Sequence, residues 1–389
     1  MNAKFFSLLL APFAGLMLLA CETPKNPAYG PENPDPNPTG LPAAKLTVLA
    51  PTEGFLKDVV KISGSGFNAD PSFNLVQFGN KTGEVLSATA TELTVRAPNI
   101  DDATVTVRVA IKGSEFWSNE MNFIFKPTVR IIDEEIHWPK GVAVDDSDNV
   151  YVGSGNDEII YKITPDGHKS EFAHLPVNGS IQFGPSNFLY VCNQEEGKIV
   201  RVSPDGGTVE DYVVTEGLHV IDFDWDAAGN MYLVANDSGI VKYDTGGNLS
   251  AAADLGTPKS CRVFENYLYV TDIWDTGSVW RYEITAGGLE HEEVIYTNED
   301  VPPVGLEVDA EGTVYISEAW DAHLLAIKTD HSTEVLFADK LSAQMRYLTF
   351  HKKTIYAVFP GGGDVGTVFS AYIGVEQAPY YGGTSARSS

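Results

Sequence analysis

An apolar stretch carrying a tyrosine recurs six times downstream of residue 126, and this repeat limits the possible folds more than any other feature. The tyrosines are Tyr151, Tyr190, Tyr232, Tyr269, Tyr315 and Tyr356, separated by 39, 42, 37, 46 and 41 residues. A second apolar stretch precedes each one: 142–144, 181–183, 221–223, 261–263, 306–308 and 348–350. A third follows in at least five units, as at 159–164, 199–203 and 240–243, and a fourth closes most of them, as at 169–173, 208–213, 291–296 and 333–337. A unit of this size cannot bury its apolar faces alone. Stacking on its neighbours is the way it does so.

Four short antiparallel strands every 40 or so residues is the pattern of a β-propeller, so residues 127–382 are expected to form six blades, with 383–389 as a tail. A strand at 128–132 stands alone before the first blade, and the last unit has three clear strands. Pairing the two closes the ring and removes its open edges. In the first unit, Pro139, Gly141–Asp145 and Asn149–Val152, ending in the turn Pro165–Gly167, resemble the NHL repeat.

The alignment of units sorts side chains by face. Loops after the tyrosine strands share one face with the segments entering each first strand. They carry Asn156 and Asp157, Asn193 with Glu195 and Glu196, Asn236 and Asp237, Asp272 with Trp274 and Asp275, and Glu318 with Trp320 and Asp321. His137, Trp138, His219 and Arg346 enter from the first strands. The run from Tyr269 to Asp275 matches that from Tyr315 to Asp321 position by position. Two indoles on polar loops of neighbouring blades suit the apolar faces of sugar rings, with hydroxyls bonding to the flanking acids. On this reading Trp138, Asp272, Trp274, Asp275, Glu318, Trp320 and Asp321 form the ligand-binding set. The alternative packing turns each indole over a blade seam.

A second set comes from the middle of each first strand: Ala143, Gln182, Asp222, Arg262, Glu307 and Thr349. Alternation places these side chains on one side of the strand, toward the axial channel. Arg262 then lies between Asp222 and Glu307. A satisfied charge network plugging the channel is expected in preference to a ligand site, with Gln182, Asp222, Arg262 and Glu307 as the ring. Asp145, Asp224 and Asp309 are expected to bond their own hairpin turns. Cys192 and Cys261 fall in non-neighbouring blades and are expected to be buried thiols, not a bridge.

Upstream, residues 44–126 hold seven short alternating strands, the count of a β-sandwich. Gly64–Phe67, Val76–Gly79 and Leu93–Pro98, in that order, resemble the IPT/TIG immunoglobulin-like domain. The fold class expected is therefore all-β: an Ig-like sandwich followed by a six-bladed propeller. The family resemblance implies a spacer or interaction module.

Residues 1–21 read as a leader, with Lys4 before an apolar run of 16 residues ending at Leu18, Leu19, Ala20 and Cys21. That ending resembles a lipoprotein lipobox, which implies lipidation of Cys21 and a membrane anchor. Residues 22–43 hold seven prolines and read as an extended tether. With 53 acidic and 26 basic side chains the formal charge is −27, which excludes nucleic acid as a partner.

Leader, tether, Ig-like module and propeller in this order resemble accessory surface lipoproteins of Bacteroidota polysaccharide-uptake systems. That likeness implies an outer-membrane, cell-surface protein that binds an extracellular glycan or other nutrient beside a SusC/SusD-like transporter, without catalysis and without a cofactor. A structural calcium is left open. Two alternatives stand beside it. One is a scaffold docking on a transporter. The other is a metal-dependent hydrolase or lyase, because six-bladed propellers include gluconolactonases and NHL-type lyases. Oxygen ligands for such a metal would come from Glu307, Glu318, Asn193 and Asn236.

Overall fold

The computed structural model describes residues 39–381 except 216, 237, 342–343 and 362–364. The leader, Cys21 and most of the tether lie outside the described residues. The chain divides into two units, Met1–Phe125 and Lys126–Ser389.

In the first unit the strand order is continuous across eight strands. Lys81–Ala88 joins the halves, pairing with Asn74–Phe78 through Lys81–Gly83 and with Glu92–Arg96 through Glu84–Ala88. The seven expected strands are present, and the two-residue Glu53–Gly54 adds an eighth, parallel to Met121–Phe125. Phe78, Phe123 and Phe125 meet edge to face at 5.0–5.8 Å in its core.

The second unit is a ring of six four-stranded antiparallel sheets. Second strands such as Leu189–Asn193 are buried at every residue, whereas outer strands such as Thr333–Leu336 are exposed at three of four. A blade has neighbours on both faces near the axis and water at the rim, so its inner strands read as continuous apolar runs.

The tyrosine repeat has a packing cause. Tyr151 of blade 1 meets Phe183 of blade 2 at 5.0 Å, Tyr190 meets Trp225 of blade 3 at 5.0 Å, and Tyr315 meets Phe350 of blade 6 at 5.8 Å, all edge to face. Tyr232 shares a core with Val263, Tyr269 with Val308 and Tyr356 with Val144. Each tyrosine thus fills the seam to the next blade, all the way round. Removing one would open a cavity between blades.

Val129–His137, the lone strand before blade 1, pairs antiparallel with Val365–Tyr372, the third strand of the last blade, as the strand count requires. Ile136, on this closing strand, is fully buried against Val142, Val358 and Val368.

Blade 3 corrects the expected register by two residues. The residues opposite the tyrosines are Ala143, Gln182, Asp224, Arg262, Glu307 and Thr349, so Asp224 and not Asp222 is the equivalent there. The hairpin acid is accordingly Asp226, whose carboxylate accepts from the Ala228 and Asn230 amides, as Asp145 and Asp309 accept in blades 1 and 5. Cys192 and Cys261 are free, buried thiols.

Candidate functional site

The two repeated loops bring their indoles together. Trp274 and Trp320 are 63% and 53% exposed, with ring centroids 6.0 Å apart and planes tilted by 36°. They wall a cavity of about 340 Å³ whose floor includes Thr257, Lys259, Val304 and Arg346. The alternative, in which each indole covers a seam, is not what these side chains do.

The acids of the same motif have a different role from the one their positions suggest. Asp272 is fully buried and accepts from the Thr257 amide (3.1 Å), the Thr257 hydroxyl (2.6 Å) and the Thr276 hydroxyl (2.9 Å). The Thr257 hydroxyl in turn accepts from the Trp274 and Asp275 amides at 2.7 and 3.0 Å. The carboxylate fixes the threonine, and the threonine fixes the loop that presents the indole. Glu318 is buried and accepts from Tyr296 (2.7 Å) and Asn298 (2.9 Å), with His323 at 2.9 Å on its other oxygen. Both acids are buried loop anchors with three hydrogen-bond partners each, and neither lines the cavity, which corrects the expectation that they bond to ligand hydroxyls. Asp275 is exposed and Asp321 half-buried on the same loops. Trp138 is 40% exposed, but it packs beside Gly155 of blade 1 and is not among the residues lining this cavity.

The channel ring is a closed charge network. Arg262 lies 2.9 Å from Asp222 and 2.8 Å from Glu307, and it also donates to the Leu348 carbonyl at 3.1 Å. Asp222 further accepts from Ser260 (2.7 Å), and Gln182 donates to it at 3.3 Å. Asp224 accepts from the Val263 and Trp225 amides. One guanidinium cannot neutralise three buried carboxylates. Burial, only partly offset by Arg262, pushes both Asp224 and Glu307 up to about 7.

On the hairpin side of this ring lies a second cavity of about 290 Å³, bordered by Glu307, His351 and the C-terminal segment. That segment crosses the ring's hairpin face. The Ala378 amide donates to the Val308 carbonyl (3.1 Å), and the Tyr380 hydroxyl donates to Gln182 (2.6 Å) while its ring meets Trp225 at 5.9 Å. No sequence pattern marked this segment, because it belongs to no repeat.

Of the four oxygen donors named above for a metal, Glu307 is paired with Arg262 and Glu318 is held by Tyr296 and Asn298, Asn193 accepts the Glu196 amide, and Asn236 lines the cavity walled by the indoles. Among the described residues, Glu318, Asp321 and His323 are the group whose donor atoms, all within 4.8 Å of one another, are close enough to share a cation.

Residues 44–125 match the IPT/TIG domain family, which assigns the first unit. Among solved structures, a Bacteroides thetaiotaomicron protein of unknown function is similar at 15% identity with a TM-score of 0.55, covering 84% of this chain and 98% of its own. An auxiliary nutrient binding protein from the same organism is similar at 12% identity and a TM-score of 0.50, over 86% and 98%. A Xanthomonas campestris gluconolactonase is similar at 15% identity and a TM-score of 0.55, over 62% of this chain and 89% of its own. No curated protein matches the sequence. These likenesses share a fold that hosts both binding proteins and enzymes, so function has to be argued from the site. The chain is an IPT/TIG domain followed by a six-bladed β-propeller.

Proposed function

We propose that this protein is a non-catalytic capture protein that holds an extracellular carbohydrate at the mouth walled by Trp274 and Trp320. The observation that carries the reading is the pair of exposed indoles 6.0 Å apart over a cavity of about 340 Å³. Exposing two such rings costs solvation free energy unless a ligand covers them, and the faces of a sugar are a natural cover. Their loops are anchored by buried acids, so the platform is rigid before any ligand arrives and little ordering entropy is lost on binding.

The leader ending at Cys21 and the proline-rich tether support a lipid anchor in the outer membrane, with the propeller held toward the medium. The likeness to an auxiliary nutrient binding protein supports a place in nutrient uptake, and the order of leader, tether, Ig-like module and propeller supports a position beside a SusC/SusD-like transporter. A metal-dependent reaction on the axis is disfavoured by Arg262, which occupies the carboxylates such a metal would need.

Affinity electrophoresis against a panel of polysaccharides tests the reading. The purified chain is expected to be retarded by at least one of them. Trp274→Ala and Trp320→Ala should each weaken that interaction about tenfold or more, the order expected for losing a desolvated aromatic anchor. No retardation by any polysaccharide, or retardation unchanged in both variants, overturns it.

A further inference from the structure

Among the described residues, the charged side chains lining the indole-walled cavity are both cations, Lys259 and Arg346, although the chain as a whole carries a formal charge of −27. Lys140, Lys259 and Arg346 each stand three residues before the position opposite their blade's tyrosine, namely Ala143, Arg262 and Thr349. The other three blades place Gly179, Ile221 and Val304 there, so no blade supplies an acid. The three cations gather around the buried Tyr347. The Lys259 ammonium is 5.5 Å from the ring centroid, and Lys140 and Arg346 both act electrostatically on the hydroxyl.

Among the described residues, none of the three forms an ion pair or a side-chain hydrogen bond, in a chain with 53 acids to 26 bases. Other basic residues of the propeller do find acids: Lys198 with Asp211, Arg201 with Glu210, Arg281 with Glu293. The acid bearing on Lys259 is Asp222, already committed to Arg262 and Ser260. Burial, reinforced by the neighbouring Arg346, holds the Lys259 ammonium below its ordinary range. A half-buried cation with no acid of its own is unfavourable in the free protein. An anionic ligand removes that penalty. Lys259 and Arg346 line the same cavity as Trp274 and Trp320, and among the described residues no carboxylate lines it.

We propose that the ligand captured at this mouth is an acidic sugar, a uronate-containing oligosaccharide. Its carboxylate lies between Lys259 and Arg346 and its ring lies against the indoles. The inference rests on the capture reading above and deepens it by naming the ligand class. Lys140 adds long-range attraction and draws a polyanion toward a face it would otherwise be repelled from.

Isothermal titration of the purified chain with oligomers of galacturonate, mannuronate and glucuronate, each beside its carboxyl-reduced neutral counterpart of equal length, tests this. At least one uronate oligomer is expected to bind, with its neutral counterpart weaker by roughly 10- to 100-fold, the worth of a charge-assisted hydrogen bond. Lys259→Met should lose a similar factor for the uronate and little for the neutral sugar. Arg346→Gln, at an exposed side chain whose replacement leaves the fold intact, should do the same, and raising the salt concentration should weaken uronate binding alone. Equal affinity for charged and neutral oligomers, or uronate binding indifferent to both substitutions, overturns the acidic-ligand inference and leaves the capture surface standing. Binding of no oligomer of either kind overturns the acidic-ligand inference, and the capture reading is then decided by the polysaccharide panel.

Discussion

Arg262→Met is expected to destabilise the propeller by roughly 3–5 kcal/mol at pH 8, because it strips the paired cation from a buried group of three acids. Asp222 and Glu307 lose their pairs at 2.9 and 2.8 Å, and Asp224 loses the charge that partly offsets its burial. The loss should shrink as the pH falls. Glu307 and Asp224 stand at about 7 in the folded protein against ordinary values of 4.5 and 3.8. A carboxyl raised in this way binds its proton more tightly folded than unfolded, so its contribution is full at low pH and declines as the pH rises through about 7. Without Arg262 the values move higher still and the decline steepens. Denaturant midpoints measured from pH 5 to pH 8 on wild type and variant check this. A pH-independent difference, or none, would mean that the network is not the charge plug described. Glu307→Gln in the wild-type background should flatten the profile, since it removes one of the raised groups.

The second large effect concerns closure of the ring. Ile136 and Ile131 lie on the same strand, Val129–His137, which completes the last blade. Ile136 is fully buried, whereas Ile131 is 53% exposed. Ile136→Asp puts a carboxylate among Val142, Val358 and Val368, and a midpoint shift equivalent to about 3 kcal/mol or more is expected from that unpaired buried charge. Ile131→Asp alters the rim of the same strand and should stay within about 0.5 kcal/mol of wild type. Equal sensitivity at the two positions would contradict the strand's register and the closure built on it.

Blade number, closure and the pairing of the indoles were legible in the sequence for physical reasons. The tyrosine period reflects a seam that has to be filled six times, and the lone strand before blade 1 is the partner the last blade lacks. The register of blade 3 was ambiguous because Asp222, Asp224 and Asp226 alternate along one face, and a shift of two residues preserves every inward position. The hairpins resolve it: Asp145 with Asn149 and Asp226 with Asn230 make the same side-chain contact at 2.8 Å. Asp272 and Glu318 looked like ligand contacts because they flank the indoles. Their satisfaction depends on Thr257, Tyr296 and Asn298, which lie on or at the ends of other strands and carry no local signature. Lys140 and Lys259 sit where the register of the first strand shifts, between Lys140 and Val142 in one blade and Pro258 and Ser260 in the other. An alternation rule cannot say where such a side chain points.

The account depends on Trp274 and Trp320 being accessible in the free protein and covered by ligand. Hydroxyl-radical footprinting read by mass spectrometry measures both. Without ligand, Trp274 and Trp320 should oxidise fastest, and Trp225, which is 2% exposed, should be protected. With a saturating oligosaccharide, protection should appear at Trp274 and Trp320, while Trp138 of blade 1 stays unchanged. Indoles already protected in the free protein, or oxidation rates at Trp274 and Trp320 that do not change when carbohydrate is bound, would contradict the capture surface.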